Sequence, residues 1–161
     1  MDDIEQHYLY PSALFASARP HKVVTVLGSC VSVCLWDPFL RIGGINHYML
    51  PLWNGEGLAS PKYGNIAIEK LIERMLYLGS RKSNLQAKIF GGGEVIDVNI
   101  SGRFRIGERN IAIAKELLEE HRIPIVAQSV GGKRGRKLMF LTSTGEVFQK
   151  IIDKNSHEIG G

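Results

Sequence analysis

The stretch LGSCVSVCLW, residues 27–36, carries both cysteines of the chain four positions apart, the first directly behind a Gly-Ser pair. A thiol does chemistry when a base can take its proton and nearby donors can hold the charge on the group it attacks. A metal instead needs ligands converging to within about 2.3 Å of one ion, and a disulfide needs Cα atoms within about 7 Å. Val31, Val33 and the following Asp37-Pro38 turn argue that the run is a strand. Four residues of strand span about 13 Å. A metal shared by Cys30, Cys34 and His47 is therefore not expected, and neither is a Cys30–Cys34 bridge. Two readings stay open for each thiol: chemistry, or service as a small core residue.

Cys30 has what a nucleophile would need. Folding the chain symmetrically about Pro38-Phe39 sets Cys30 directly opposite His47, with Cβ atoms about 4.5–5.5 Å apart. A one-residue slip would send the two to opposite faces. Gly28 and Ser29 form a flexible entry whose backbone N–H groups can turn outward to hold an oxyanion. Cys34 reads as core. On this pattern Cys34 and Trp36 share the face of Cys30, while Val31, Val33 and Leu35 pack behind it.

The elements that must position these residues alternate without a regular βαβ repeat. KVVTVL (22–27) and VSVCLW (31–36) are β-branched and apolar, and a further strand is expected from Ile42 to Leu50, stopped by Pro51. A Gly/Pro/Asn-rich loop covers 51–63, and helical spacing follows from Gly64 to Leu78, with Gly79 as its stop. LQAKIF (85–90) reads as a strand running into Gly91-Gly92-Gly93, residues 107–120 as a second amphipathic helix, and 123–129 as a strand. Residues 137–141 and 146–152 pair around Ser143-Thr144-Gly145. The order implies an α+β fold with two main helices, and argues against a doubly wound one. With 161 residues, no repeat and no long linker, residues 1–161 are expected to form one domain. Residues 1–20 would be a mixed lead-in and 153–161 a flexible tail.

Charge and composition exclude several classes. A net charge of +4 is mild, and KRGRK (133–137) lacks interleaved aromatics, so nucleic acid is not the expected partner. KRGRK reads first as a solvated loop and second as a dock for an acidic surface. The acidic start MDDIEQHYLY is unlike a secretory signal, and the longest charge-free apolar run, Val23–Trp36, is short of the roughly 20 residues a membrane helix needs. No membrane insertion and a reducing cytoplasm are expected. FGGG (90–93) lacks the Gly-Lys-Ser/Thr of a phosphate loop and reads as a tight turn near the site. His7, His21, His121 and His157 gain no thiol partner in any register, and read as surface residues.

VTVLGSCVSVCLWD followed by GGINHYMLP resembles the CheD family of chemoreceptor glutamine deamidases. The likeness continues through KYGNIAIEKLI, AKIFGGGEV, IGERNIAIAKELL and GGKRGRK. It implies a layered α+β domain with stacked mixed and antiparallel sheets and helices outside, similar to the catalytic domain of cytotoxic necrotising factor toxins. It also implies a catalytic set of a cysteine in the GSC block, a histidine in the HxMLP block and an upstream threonine. These fall on Cys30, His47 and Thr25, the hydroxyl of the preceding strand. The implied activity is conversion of receptor glutamines to glutamate through a thioester, with glutamyl methyl ester hydrolysis as a side activity and no metal or organic cofactor. The implied partners are methyl-accepting chemoreceptors as substrate and the CheC phosphatase. The alternative is a regulatory module acting mainly as the partner of CheC. One departure is Ser129, where the resemblance leads one to expect an acidic residue.

Overall fold

The β-branched stretches around the two cysteines do form strands, and a computed structural model shows what they pack against. It describes residues 4–94 and 105–152. In chain order these form β1 (Glu5–Tyr8), β2 (Leu14–Ser17), β3 (His21–Leu27), β4 (Val31–Asp37), β5 (Ile42–Asn46), α1 (Gly64–Tyr77), β6 (Gln86–Gly91), α2 (Ile106–Glu120), β7 (Ile125–Val130), β8 (Gly135–Leu141) and β9 (Val147–Ile152). One sheet has the order β1-β3-β8-β9 and the other β2-β5-β4-β6-β7. Both are mixed: β1 runs parallel to β3, and β6 parallel to β7, while the other pairs are antiparallel.

Alternation along β4 divides the interior in two. Val31, Val33 and Leu35 join Ala67, Ile68, Leu71 and Met75 of α1 and Ile113, Ala114 and Leu118 of α2. Cys34 points the other way, into a cluster with Val23 and Leu27 of β3, Ile45 of β5, Phe90 of β6 and Leu138 and Phe140 of β8. The layers are therefore helices, five-stranded sheet, four-stranded sheet, the α+β arrangement expected. Trp36 lies on the Cys34 side, its Nε1 donating to the Ser143 carbonyl at 3.2 Å across the sheet interface.

Two expectations need correction. The lead-in is not irregular, since residues 1–20 supply an edge strand to each sheet, β1 and β2. Both are four residues long, and β1 is largely exposed, so neither carries a periodic apolar signal. The strand expected from Ile42 to Leu50 ends at Asn46. From His47 onward the backbone bonds elsewhere: His47 N–H donates to Ala13 O at 3.1 Å, and His47 O accepts from Ser12 N–H at 2.8 Å. The tail expected at 153–161 lies outside the described residues.

Candidate active site

The turn between β4 and β5 sets the geometry. It holds four residues, Pro38–Arg41, because the Asp37 side chain organises it: Oδ1 accepts from Phe39 N–H at 2.9 Å and from Leu40 N–H at 3.1 Å, and Arg41 closes it at φ 58°. Asp37 then pairs with Ile42 and Cys34 with Ile45. A symmetric fold about Pro38-Phe39 is thus off by two positions, and Cys30 does not stand directly opposite His47. The ladder is continued by an isolated bridge, Val31 to Tyr48. Cys30 and His47 precede its two members, so they sit diagonally across it on the side turned toward the four-stranded sheet. Diagonal neighbours lie about 7–8 Å apart at Cα, within reach of an aromatic ring such as the imidazole. Among the described residues the ring's hydrogen bond goes to Thr25, with none to the Cys30 sulfur. A slip of two preserves the face, where a slip of one would not.

Thr25 comes to the same place from the opposite sheet. It stands in the middle of β3, fully buried, across the interface from His47. Its Oγ1 donates to the Leu9 carbonyl at 2.7 Å and lies 2.7 Å from His47 Nδ1. A hydroxyl has one hydrogen, and Leu9 takes it, so Thr25 can only accept from the ring. The proton therefore sits on Nδ1, and Nε2 keeps its lone pair. His47 is 2% exposed, and burial holds its pKa down to about 4, so the ring is neutral at ordinary pH. The result is a buried imidazole with one tautomer selected and its second nitrogen basic.

Cys30 sits at the end of the strand, half-buried, while Cys34 is 2% exposed in the inter-sheet core. Burial pushes the Cys30 thiol up, with its own backbone N–H pulling the other way. Burial pushes Cys34 up much further, against a lowering from Lys88. Both thiols rest protonated at neutral pH, and Cys30 is the one solvent reaches.

The glycine run folds around the Cys30 backbone. Gly92 N–H donates to Cys30 O at 2.8 Å, and Gly93 N–H to Gly28 O at 2.9 Å. A Cβ on Gly91, at φ 107°, would stand 2.2 Å from Cys30 O, so a side chain there is excluded twice over. Val31 N–H is spent on Tyr48 O at 3.1 Å. Among the described residues, the Ser29 and Cys30 N–H groups have no backbone partner.

Other candidates lie apart from the thiol. His7 stacks on Phe15, with ring centres 4.3 Å apart, and His121 pairs with Glu69 at 2.7 Å. His157 lies outside the described residues. Lys133 and Arg134 are exposed, but Arg136 is not solvated: its guanidinium is buried and donates to the carbonyls of Ser129 and Gly131 and to Ser129 Oγ. Ser129 thus anchors an arginine through its backbone and hydroxyl. Sequence reasoning missed the Leu9 carbonyl, for which no residue type could have served as a signal.

The CheD chemotactic sensory transduction family matches residues 49–151, well over half of the chain. This chain is a member of the CheD family. The matched range begins just after His47, so the longer alignments to relatives are what reach across Thr25, Cys30 and His47. A Sulfurimonas denitrificans protein named "Probable chemoreceptor glutamine deamidase CheD" is 49% identical over 152 residues, covering 94% of this chain and 97% of that one. A Trichlorobacter lovleyi protein of the same name is 52% identical over 144 residues, covering 89% of each. Among solved structures, the Neisseria meningitidis protein NMB0706 (DUF152) superposes with a TM-score of 0.50 over 86% of this CheD chain and 76% of its own. At 8% identity that likeness concerns the fold alone. None of the helices among the described residues is long and apolar enough to cross a membrane.

Proposed function

We infer that this CheD protein deamidates glutamine side chains of chemotaxis receptors to glutamate, as one domain, with Cys30 as nucleophile, His47 as proton carrier and Thr25 as the residue that positions His47. The relatives named chemoreceptor glutamine deamidase, matched over nearly their whole length, support the substrate class. The observation that carries the roles is the chain Leu9 O, Thr25 Oγ1, His47 Nδ1, each step 2.7 Å, which leaves Nε2 as a base. Family, site and chemistry point the same way.

With the thiol raised and the imidazole lowered by burial, full proton transfer in the empty site is uphill. The thiol proton therefore moves to His47 Nε2 as sulfur bonds to the carboxamide carbon. The carbonyl oxygen becomes an oxyanion, which the Ser29 and Cys30 N–H groups can meet. His47 returns the proton to nitrogen, the C–N bond breaks, and ammonia leaves an acyl thioester. Water then attacks with His47 as base, the C–S bond breaks, and glutamate and the thiol are restored. A glutamyl methyl ester would form the same thioester and release methanol. The chemistry needs a reduced thiol, which suits the cytoplasm.

Incubating the protein with a receptor cytoplasmic fragment should release free ammonia, with the mass gain of one amide-to-acid conversion at each modified site. Absence of both with every receptor of the same cell would overturn the enzyme reading and leave a binding module, with CheC as the partner to test.

A further inference from the structure

The first turn of α2 touches the candidate site at points the reading above leaves unused. Gly107 lies so close to the glycine run that a Cβ on it would stand 2.4 Å from Gly92 O. One turn further along the same face is Asn110, fully buried. Its Nδ2 donates to Ser29 O and to Met49 O, both at 3.0 Å. Both amide hydrogens are thereby spent. The reversed amide would set Oδ1 against two carbonyl oxygens, so its orientation is fixed. The Tyr48 hydroxyl donates to the Asn110 backbone carbonyl at 2.5 Å.

Ser29 precedes Cys30, and Tyr48 and Met49 follow His47. Past Asn46 the β4–β5 ladder continues as the single bridge Val31–Tyr48. One side chain from a third element thus ties together the two segments that carry thiol and imidazole just beyond that last bridge. Among the described residues, Asn110 Oδ1 is buried with no hydrogen-bond partner, an arrangement that by itself costs stability. An apolar residue would avoid that cost but would take the shared donor away from the Ser29 and Met49 carbonyls, and with it the link between the two segments.

We propose that Asn110 is a positioning residue for the deamidation, setting the separation and angle of Cys30 and His47 through the Ser29 and Met49 carbonyls. The proposal rests on the Cys30–His47 reading above, and the test separates the two. Cys30→Ala, Asn110→Ala, Asn110→Asp and Tyr48→Phe are compared with the parent chain for kcat and KM on a receptor fragment, well below each variant's unfolding midpoint. Asn110→Asp keeps the volume and can hold at most one of the two carbonyls, and that one only with its carboxyl protonated. The expected result is no turnover for Cys30→Ala and a kcat lowered about 10–100-fold for both Asn110 variants, since small misplacements of reacting groups cost that much. KM should stay within about twofold, because Asn110 does not touch substrate. Tyr48→Phe, which removes only the hydroxyl, should lose about three- to tenfold in kcat. Turnover by Cys30→Ala would overturn the site reading itself. With Cys30→Ala dead, parental kcat in either Asn110 variant, or a loss confined to KM, would overturn the positioning role alone. If neither Asn110 variant folds, parental kcat in Tyr48→Phe overturns it.

Discussion

The two cysteines occupy the same side of one strand four residues apart, yet their surroundings have little in common. At Cys34 the sheet is complete on both flanks, with Ile45 on one side and Lys88 on the other, and the thiol is sealed between the sheets. At Cys30 the ladder has run out. β5 has ended at Asn46, β6 ends in a left-handed glycine at position 91, and Gly28-Ser29 breaks the link to β3. On the proposed reading, the reactivity of Cys30 is a property of where the strand stops. A cysteine inside the ladder has packing on every side. One at its end has backbone N–H groups, a histidine on the neighbouring segment and access to solvent.

Exchanging each cysteine for alanine tests this contrast most severely. Cys30→Ala should abolish deamidation and leave the unfolding midpoint nearly unchanged, because a half-buried sulfur at a turn leaves little cavity. Cys34→Ala should keep full activity and lose about 1 kcal/mol of stability from its buried volume. Ammonia release and denaturant unfolding, measured on both variants, decide the matter. Equal activity in the two would erase the distinction between the ends of the strand.

The next effect concerns the residue behind the histidine. Thr25→Val preserves shape but removes the acceptor for His47 Nδ1–H and leaves the Leu9 carbonyl unpaired. Losing that partner lets the base shift, and misplacements of reacting groups cost up to about 100-fold, so kcat should fall about 10–100-fold. Thr25→Ser, which restores the hydroxyl, should recover most of it. A Thr25→Val enzyme as fast as the parent would mean that the tautomer is selected by something else.

A smaller contrast should appear in thiol labelling. Iodoacetamide should modify Cys30 at least about tenfold faster than Cys34, since alkylation follows thiolate fraction and exposure and burial suppresses both at Cys34. Peptide mass after timed quenching measures the ratio, and a preference for Cys34 would reverse the assignment.

How much of this was legible in the sequence depended on whether a residue's type carries its role. The alternation of β4 is readable because valine and leucine must be buried on one side and the smaller Cys34 fits the other. The Cys30–His47 pairing was legible only as to face. The length of the Asp37–Ile42 turn is set by carboxylate-to-backbone hydrogen bonds and a left-handed Arg41, which the symmetric reading about Pro38 ignores. The two-position error kept both side chains on one side because the strand period is two. β1 and β2 were not legible, being short edge strands held by backbone pairing. Asn110 sits on an amphipathic helix among exposed polar residues, and only the fold shows that it points inward.

The subtlest expected effect concerns pH and isolates the buried imidazole. His47 has a pKa of about 4 in the folded protein against 6.5 when unfolded, because burial disfavours its charged form. Above pH 6.5 both states hold the ring neutral, and it adds nothing to the pH dependence. As pH falls below that value, the unfolded chain takes up a proton that the folded one refuses, so stability is lost, by roughly 2 kcal/mol at pH 5. The loss levels off once pH passes below the folded value. Other groups titrate in the same window, and His47→Gln removes this contribution alone. Urea unfolding of the parent and of His47→Gln at pH 7.5 and pH 5 should therefore show a steeper loss in the parent. Equal losses in the two would mean that the ring takes up its proton in the folded state as readily as in the unfolded. Nε2 would then be partly charged at working pH and could not serve as the resting base, whereas Cys34, deep in the same interface, would remain inert in either case.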